Sequence, residues 1–450
     1  MKFDAIIIGF GKGGKTLAAA LAKQGQQVAL VEKSSAMYGG TCINVGCIPS
    51  KSLVTSAAES ARHGEESFER KAERYAAAIG EKRRVTSLLR GKNYHKLADL
   101  PNVRIVDGLG SFVSPTQVEV RLTAGGTETL EAEKLFINTG AVAMTETLPG
   151  MEGNPRVYGS ETLMDEETLP RRLTLIGAGY IGMEFASLYA AFGSAVTVLQ
   201  RGDVFLPRED RDVADAVREN LEAQGVRFLL GAKTLRVEGG NVIYQQGDEE
   251  GTVEGDAILL ATGRKPNTEG LGCEKAGVAL TSRGAVQVDD HLRTTAPNIW
   301  AMGDVTGGAQ FTFTSLDDYR IVLSDLTGGE RALSKRKNVP NSVFMATPLA
   351  RVGLTEAEAL EQGLPIRVLK LPTAAVPKAQ VLGQTRGFLK AVVHGETGLI
   401  LGAALLCPES YEVINLIKLA MDYGIPAAAL RDQVYTHPTM TEALNDLFAL

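Results

Sequence analysis

The sequence predicts an α/β fold in which two Rossmann-like domains are followed by a C-terminal α+β domain. The length of 450 residues suggests three domains, at about 100–200 residues per domain. A pattern of strand, glycine turn, helix and strand occurs at 4–32 and again at 173–200, which indicates an internal duplication. After a basic stretch at 331–337 the pattern changes to mixed helices and strands up to residue 450.

The composition is that of a soluble chain with an ample core. Hydrophobic residues make up 44% and charged residues 22% of the sequence, and the net charge of −6 gives no sign of a nucleic-acid partner. No apolar run reaches the roughly 18 residues that a membrane-spanning helix needs. The apolar residues 5–8 are followed by Lys12 and Lys15, which favours a first strand over a signal peptide. We therefore expect a cytoplasmic protein that does not bind membranes.

The first glycine motif consists of Gly9, Gly11 and Gly14, between an apolar strand and a helix rich in alanine and leucine. Such glycines permit a tight turn, close approach of a pyrophosphate and close packing of helix on strand. The next strand ends in Glu32, whose carboxylate can accept hydrogen bonds from the ribose hydroxyls of an adenosine. An ordinary glycine-rich turn is the alternative, but the complete arrangement favours a dinucleotide site.

The second motif has the same spacing but ends differently. Gly177, Gly179 and Gly182 follow a strand, and the next strand ends in Gln200 and Arg201 where the first unit has an acid. A carboxylate would repel a 2′-phosphate, whereas an arginine would attract it. The sequence therefore favours NADPH at this site, and NADH stays possible.

Cys42 and Cys47 form the most specific pattern in the chain. If a helix begins near Cys42, the two thiols lie just over one turn apart and can close a disulfide when that turn is slightly distorted. A helix N-terminus also lowers a thiol pKa, which favours thiolate chemistry. Lys51 lies four residues beyond Cys47, on the same helical face, where it can hold positive charge.

Two inert thiols or a zinc site are the alternatives for this pair. Zinc needs two further ligands, but Cys273 and Cys407 are isolated and the five histidines have no ligand spacing. A close cysteine pair in a reducing compartment is more often catalytic than structural. We predict a redox pair and no resident metal.

Segment 39–51, together with the two glycine motifs, resembles the pyridine nucleotide–disulfide oxidoreductase family, which includes glutathione reductase, dihydrolipoamide dehydrogenase and mercuric reductase. The resemblance covers nearly the whole chain and implies FAD at the first motif and a nicotinamide cofactor at the second. The implied domains are a discontinuous FAD domain at 1–147 and 266–335, an NAD(P) domain at 148–265 and a dimerisation domain at 336–450.

The resemblance also implies roles for individual residues. Cys47 would stack on the flavin, and Cys42 would exchange with the substrate. Lys51 would pair with Glu184 beside the flavin ring. Tyr180 would be an aromatic gate over the nicotinamide pocket, with a packed tyrosine in a glycine turn as the alternative reading.

Further cofactor contacts follow from three segments. Segment 298–304 resembles the family's second FAD motif, in which Asp304 would hold the ribityl chain, although an aspartate alone is also a common turn residue. Segments 137–140 and 260–263 resemble the family's domain-crossing turns. The remaining predicted cofactor contacts are Thr41, Thr139, Gly140, Ile181, Gly263 and Gly303.

Residues 437–442 resemble the family's C-terminal motif. A histidine is suited to move a proton near neutral pH, and a carboxylate can fix its tautomer, so His437 is the candidate acid–base group and Glu442 its orienting partner. By resemblance, this histidine reaches the disulfide of the other subunit, which implies a homodimer. A structural histidine near a chain end is the alternative.

Three details resemble one bacterial subgroup, the reactive-chlorine-resistance flavoproteins: residues 8–16, Met37 with Tyr38, and 315–320. That resemblance implies a protective reductase, active in oxidative stress, that acts on hypothiocyanous acid-like oxidants or on Cu(II). We expect no N-terminal metal-binding module and no C-terminal cysteine pair, unlike typical mercuric reductases and large thioredoxin reductases. A reductase of a small disulfide (glutathione or lipoyl), a mercuric-reductase-like metal reductase, and a dimeric component that docks into a complex or senses NADPH remain alternatives.

Overall fold

A computed structural model of the chain describes residues 2–144 and 148–450. These residues form two compact units. The first contains 2–52, 78–144 and 263–336, and the second contains 53–77, 148–262 and 337–450. The predicted three-domain division stays a prediction, and its boundary after residue 147 falls outside the described residues.

The strands are β1 (Lys2–Ile8), β2 (Val28–Glu32), β3 (Val103–Ser114), β4 (Gln117–Leu122), β5 (Thr127–Ile137), β6 (Ala141–Ala143), β7 (Val157–Gly159), β8 (Arg172–Ile176), β9 (Ala195–Gln200), β10 (Arg227–Leu230), β11 (Ala232–Glu238), β12 (Asn241–Gln246), β13 (Glu249–Glu254), β14 (Ala257–Leu260), β15 (Arg264–Pro266), β16 (Ile299–Ala301), β17 (Asn341–Val343), β18 (Leu349–Gly353), β19 (Ile366–Pro372), β20 (Phe388–His394) and β21 (Ile400–Leu406).

The α-helices are α1 (Lys12–Lys23), α2 (Thr41–Asn44), α3 (Cys47–Ala61), α4 (Phe68–Ala98), α5 (Ser160–Leu163), α6 (Tyr180–Ala191), α7 (Arg211–Glu222), α8 (Thr312–Leu326), α9 (Glu356–Glu361), α10 (Pro377–Leu382), α11 (Ser410–Asp422), α12 (Ala427–Arg431) and α13 (Ala443–Leu447). Among the described residues, no helix combines the length and the apolar character that crossing a bilayer requires.

A parallel sheet forms the centre of the first unit. β1 lies between β2 and β5, β16 pairs with β5, and β3 pairs with β2, all in parallel register. The far half of β3 continues through β4 to β5 as an antiparallel extension. On α1, residues Leu17, Ala18 and Leu21 are buried at spacings of one and three, so one helix face packs on the sheet. Each buried leucine contributes about 2 kcal/mol of hydrophobic stabilisation.

The second unit holds a second parallel sheet, in the order β10-β9-β8-β14-β7, and a small antiparallel sheet of β11, β12 and β13. Its C-terminal part is an antiparallel sheet in the order β17-β18-β21-β20-β19, with a core that also includes apolar residues of α11 and α13. Both predicted strand–helix–strand units therefore form, as β1-α1-β2 and β8-α6-β9. The predicted change to an α+β pattern near the C-terminus is also confirmed.

Candidate active site

The first glycine loop leaves no room for side chains. Gly9 has φ +107°, and a Cβ built on it would lie 2.3 Å from the carbonyl oxygen of Asn138. A Cβ on Gly14 would lie 2.6 Å from the carbonyl oxygen of Gly9. Gly11 directly precedes α1, and the N–H groups of the first helical turn have no carbonyl partner within the helix; that of Gly13 donates a 3.1 Å hydrogen bond to Oγ of Ser315. This cradle fits a pyrophosphate, which helix N-termini favour.

Glu32 lies at the end of β2 and supports the same loop. Its Oε2 accepts a hydrogen bond of 2.9 Å from the backbone N–H of Phe10. The residue is 7% exposed, and burial raises the pKa of its carboxyl. A polar group of an adenosine ribose would give this buried carboxylate further hydrogen-bond partners, so the site fits the predicted dinucleotide.

The backbone of Gly303 is held by a residue that the sequence did not single out. The Gly303 N–H donates a 2.7 Å hydrogen bond to Oδ2 of Asp318, which also pairs with Arg336. Gly303 has φ +76°, and burial raises the pKa of Asp304. Asp318 belongs to segment 315–320, which sequence analysis noted only for its resemblance to a subgroup. The sequence therefore drew attention to this segment, but it did not predict that Asp318 supports the Gly303 backbone.

The predicted turn residues brace the first unit. The Thr139 hydroxyl donates a 2.7 Å hydrogen bond to the carbonyl oxygen of Asn267, and the N–H of Asn267 donates to the Gly140 carbonyl at 2.9 Å. Gly263 has φ +125°, and its carbonyl accepts a 2.9 Å hydrogen bond from Met144. These contacts fix the turns, while the predicted cofactor contacts of Thr139, Gly140 and Gly263 stay predictions.

The redox segment consists of two helices where the sequence suggested one. A helix begins at Thr41, as expected near Cys42, but α2 ends at Asn44 and α3 begins at Cys47. The side-chain amide of Asn44 donates to the Gly40 carbonyl at 2.9 Å, and Val45 leaves the helical conformation at φ −140°. The backbone N–H of Asn44 donates to the same Gly40 carbonyl at 3.3 Å, so α2 ends at the turn of Val45, and α3 begins separately at Cys47. Cys47 therefore lies at a helix N-terminus, which favours a thiolate.

Cys42 and Cys47 are not joined by a disulfide in the structure. Cys47 is exposed and Cys42 is half-buried. A hydrogen bond from Cys42 lowers the pKa of Cys47 to about 6. A hydrogen bond with Thr312 and the charge of Lys51 also lower this pKa, whereas burial acts to raise it. The hydrogen bond between the two cysteines and burial raise the pKa of Cys42 well above its ordinary value. The pair is thus one thiolate stabilised by its neighbouring thiol, with the charge on Cys47.

Thr312 is a second residue that sequence reasoning missed. It is the first residue of α8, and its Oγ1 lies 3.5 Å from Sγ of Cys47. Nothing in its sequence surroundings distinguishes it from an ordinary helix-start threonine. Its position follows only from the packing of α8 in the first unit.

The second glycine loop repeats the first. Gly177 has φ +109°, and a Cβ built on it would lie 2.6 Å from the carbonyl oxygen of Ala261. A Cβ on Gly182 would lie 2.2 Å from the Gly177 carbonyl oxygen. Gly179 directly precedes α6 and faces open space, with no atom within 4 Å of a built Cβ. The start of α6 therefore offers its N–H groups to a ligand, as α1 does.

The end of β9 carries no acid. Oε1 of Gln200 accepts a 3.0 Å hydrogen bond from the backbone N–H of Ala178, and Arg201 is exposed beside it. Ile181, in the first turn of α6, is also exposed, at 38%. The geometry leaves the Arg201 guanidinium accessible to an anionic ligand.

Tyr180 is tied to a buried charged pair. Its hydroxyl donates to Oε1 of Glu209, whose side chain is 2% exposed and lies 3.4 Å from a guanidinium nitrogen of Arg351. Burial and the Glu209 charge raise the pKa of Tyr180 above its ordinary value. Glu184 accepts a 2.9 Å hydrogen bond from the N–H of Phe344. Sequence reasoning proposed Tyr180 and Glu184 but had no signal for Glu209.

His437 and Glu442 meet as the motif suggested. Nδ1 of His437 lies 2.9 Å from Oε2 and 3.1 Å from Oε1 of Glu442. The imidazole is 71% exposed, and the peptide bond to Pro438 is cis. Its other ring nitrogen is open to solvent or to another molecule. The catalytic roles of His437 and Glu442 stay predictions. The Lys51–Glu184 pair also stays a prediction, because its two members lie in different units.

In residues 2–144 and 148–450, no group of three or more His, Cys, Asp or Glu side chains is arranged to hold a metal ion.

Comparisons with known proteins cover the whole chain. Residues 3–323 match the model of the pyridine nucleotide-disulphide oxidoreductase family, and 339–448 match its dimerisation domain. The probable pyridine nucleotide-disulfide oxidoreductase RclA of Escherichia coli K12 is 50% identical, over 100% of this chain and 99% of that protein. The dihydrolipoyl dehydrogenase of Bacillus subtilis 168 is 33% identical, over 98% of this chain and 94% of that protein.

A solved structure is equally similar. It is the Cu(II) complex of the HOCl-induced flavoprotein disulfide reductase RclA from Escherichia coli. It aligns with a TM-score of 0.94 and 50% identity, covering 100% of this chain and 99% of that chain.

Proposed function

This chain belongs to the pyridine nucleotide-disulfide oxidoreductase family, and we propose that it reduces a small oxidant with electrons from NADPH through the Cys42–Cys47 pair. The family is one of FAD-containing enzymes, so the earlier alternative of a non-enzymatic docking or sensing component is set aside. One observation carries the proposal: the two thiols are adjacent, exposed or half-buried, and unequal, with the lowered pKa on Cys47 at the start of α3.

The described residues fit FAD. Gly9, Gly11 and Gly14 would receive its pyrophosphate, Glu32 its ribose, and Asp304 its ribityl chain. Bound there, FAD would supply two-electron transfer between the nicotinamide and the disulfide. The remaining predicted contacts line the same loops and turns: Thr41, Thr139, Gly140, Gly263 and Gly303.

The two cysteines then have different roles. Cys47 remains as the inner thiolate, with Lys51 and Thr312 stabilising its charge, and Lys51 would also pair with Glu184. Cys42 is the nucleophile that meets the oxidant. With hypothiocyanous acid, the Cys42 thiol loses its proton as its sulfur attacks the electrophilic sulfur of the oxidant. An S–S bond forms, the S–O bond breaks and hydroxide leaves. Cys47 then attacks Cys42, the disulfide forms again and thiocyanate leaves with the electron pair.

The proton lost by the Cys42 thiol must be taken up and delivered to the leaving hydroxide, which departs as water. We assign this to His437 of the partner subunit, oriented by Glu442 through the bond to Nδ1. The match of 339–448 to a dimerisation domain supports a homodimer, which this assignment requires. A disulfide that forms and breaks in each catalytic cycle agrees with a cytoplasmic location.

At the second motif, Gly177, Gly179 and Gly182 would bind the pyrophosphate of the nicotinamide cofactor. Gln200 and Arg201 favour the 2′-phosphate of NADPH over NADH, because no carboxylate repels it. Tyr180 and Ile181, in the first turn of α6, would border the nicotinamide, with Tyr180 as the movable gate.

Cu(II) is a second candidate substrate, because a similar solved protein is a Cu(II) complex. Two Cu(II) ions would each take one electron from the dithiol, which yields two Cu(I), the disulfide and two protons. A small-disulfide substrate is the other alternative, supported by the 33% identity to a dihydrolipoyl dehydrogenase.

The first test is an anaerobic titration of the purified holoenzyme with NADPH and, separately, NADH. We expect a long-wavelength absorbance band, produced by a thiolate against oxidised flavin, near one equivalent, and faster reduction by NADPH. Direct bleaching of the flavin without that band would contradict a role of the disulfide in electron transfer.

The second test compares acceptors. We expect NADPH oxidation to be fastest with hypothiocyanous acid, slower with Cu(II), and slow with oxidised glutathione or lipoamide. Cys42→Ser should retain bound flavin and lose turnover of the oxidant. Fast turnover of glutathione or lipoamide disulfide by the parent enzyme would overturn the substrate assignment.

A further inference from the structure

One lysine at the start of α1 is close enough to Cys42 for their charges to act on each other. Lys15 is half-buried in the first turn of α1, and its ammonium donates to Oδ1 of Asn93 on α4. Asn93 is 8% exposed, and its amide nitrogen donates a 2.7 Å hydrogen bond to the Leu89 carbonyl. That second bond fixes the amide so that its oxygen faces Lys15. The ammonium therefore has a set position rather than a solvated one.

The same two helices hold the redox segment. Arg90, one turn before Asn93 on α4, donates a 2.7 Å hydrogen bond to Oδ1 of Asn44 in α2. A Cβ built on Gly40 would lie 2.6 Å from the Cα of Gly11, and one on Gly39 would lie 3.5 Å from the Cβ of Asn93. The segment that carries Cys42 is thus packed against the start of α1 and against α4.

The charges of this region act on one another. Burial, followed by the charges of Lys12 and Lys96, lowers the pKa of Lys15 to about 8, while Cys42 acts in the opposite direction. The hydrogen bond with Cys47 and burial raise the pKa of Cys42. The charge of Lys15 acts in the opposite direction and favours the ionised form of Cys42. In its protonated form, Lys15 adds a positive charge to the surroundings of Cys42.

We propose that Lys15, held by Asn93, is a positioning residue that stabilises the Cys42 thiolate and selects anionic reactants at that sulfur. The inference rests on the proposed function, because it takes Cys42 as the thiol that meets the substrate. It narrows the substrate class to small electrophiles that are anionic or that release an anion. The anion that such an electrophile releases leaves with the electron pair of its bond to the attacked atom. Lys15 stabilises the negative charge of that anion.

The test uses two alkylating probes that differ only in charge. Iodoacetate and iodoacetamide both form an S–C bond with a thiolate and release iodide, but only iodoacetate is an anion. The rates are measured on Cys42 of the Cys47→Ser holoenzyme by peptide mass spectrometry, and Cys273 and Cys407 are buried. The ratio of the two rates cancels the fraction of thiolate, so it reports the charge near the sulfur.

We expect Lys15→Met to lower the ratio of the iodoacetate rate to the iodoacetamide rate about fivefold, as for a partly screened charge at close range. Lys15→Gln should do the same, and Lys15→Arg should keep most of the ratio. Lys23→Met is the matched control, because Lys23 is an exposed lysine at the far end of the same helix, and it should leave the ratio unchanged.

A ratio unchanged in both Lys15→Met and Lys15→Gln, each with a normal flavin content, would overturn the proposal. This outcome is separate from failure of the proposed function. If Cys42→Ser still reduced the oxidant with NADPH, the proposed function would fail, whereas the alkylation ratio depends on neither NADPH nor turnover.

Discussion

The two glycine loops have nearly the same shape and carry different charges. In each, the first glycine has a positive φ and lies against a backbone carbonyl that follows a neighbouring strand: Gly9 against Asn138 at 2.3 Å and Gly177 against Ala261 at 2.6 Å, measured from a built Cβ. Any side chain at either glycine would be strained and would clash.

The second strand of each unit supports its loop with one side-chain oxygen. Glu32 accepts from the Phe10 N–H at 2.9 Å, and Gln200 accepts from the Ala178 N–H at 3.0 Å. An acid and its amide thus make the same contact. The comparison shows that the loop's shape needs only an oxygen at this position, so the charge of that residue is available to select the nucleotide.

The largest expected effect comes from the first glycines. Gly9→Ala should abolish flavin binding, because the added methyl meets a backbone carbonyl and the φ of +107° is strained for alanine. Gly177→Ala should retain flavin but lose reduction by NADPH. Flavin absorbance after gel filtration and the anaerobic reduction rate distinguish the two. Loss of flavin from Gly177→Ala would show that the two loops do not act separately.

Gln200→Glu should change the nucleotide preference. The acid can keep the bond to Ala178 while adding a charge that repels a 2′-phosphate. We expect the ratio of kcat/KM for NADPH to that for NADH to fall about 10–100-fold, the equivalent of about 1.4–2.7 kcal/mol. Arg201→Ala should lower the same ratio by less. Steady-state kinetics with both nucleotides measure it, and an unchanged ratio would contradict NADPH selection by this strand end.

A substitution at the middle glycine of the second loop, Gly179, should affect nucleotide binding without affecting stability. Because a Cβ at Gly179 meets no atom within 4 Å, Gly179→Ala should leave the Tm nearly unchanged. The methyl should instead obstruct the pyrophosphate and raise the KM for NADPH about tenfold, which corresponds to about 1.4 kcal/mol. A large fall in Tm would show that this glycine is needed by the fold itself.

The smallest expected effect concerns stability and pH. Burial raises the pKa of Glu32, so its ionised form is disfavoured in the folded apoprotein. Its stabilising contribution is present below the pKa of the unfolded chain and is lost as the pH rises through the folded-state pKa. Glu32→Gln should therefore have a higher Tm than the parent apoprotein at pH 8, and this difference in Tm should be smaller at pH 4. A difference in Tm that does not vary with pH would contradict this account.

Features that depend on local spacing could be predicted from the sequence. The two strand–glycine–helix–strand units, the ends of β2 and β9, and the contact of His437 with Glu442 all follow from residues close together or regularly spaced in the chain. Local patterns suffice there because hydrophobic periodicity and turn chemistry already determine the geometry.

Features that depend on distant packing could not be predicted. Thr312 meets Cys47 across 265 positions, Asp318 supports Gly303 only after α8 has packed, and Lys15 finds Asn93 on another helix. The break between α2 and α3 was missed for a different reason. There Val45 leaves the helical conformation at φ −140°, and helix propensity alone does not reveal that break.

Asn138 has a consequence for the order in which the enzyme is completed during synthesis. Its carbonyl closes on Gly9, and its amide donates to the Gly9 carbonyl at 3.2 Å, although the two residues are 129 positions apart. The glycine loop therefore leaves the ribosome long before the residue that shapes it. It follows that the nascent N-terminal segment has the motif without the pocket, and that the proposed FAD site is complete only after β5 has been made and inserted beside β1.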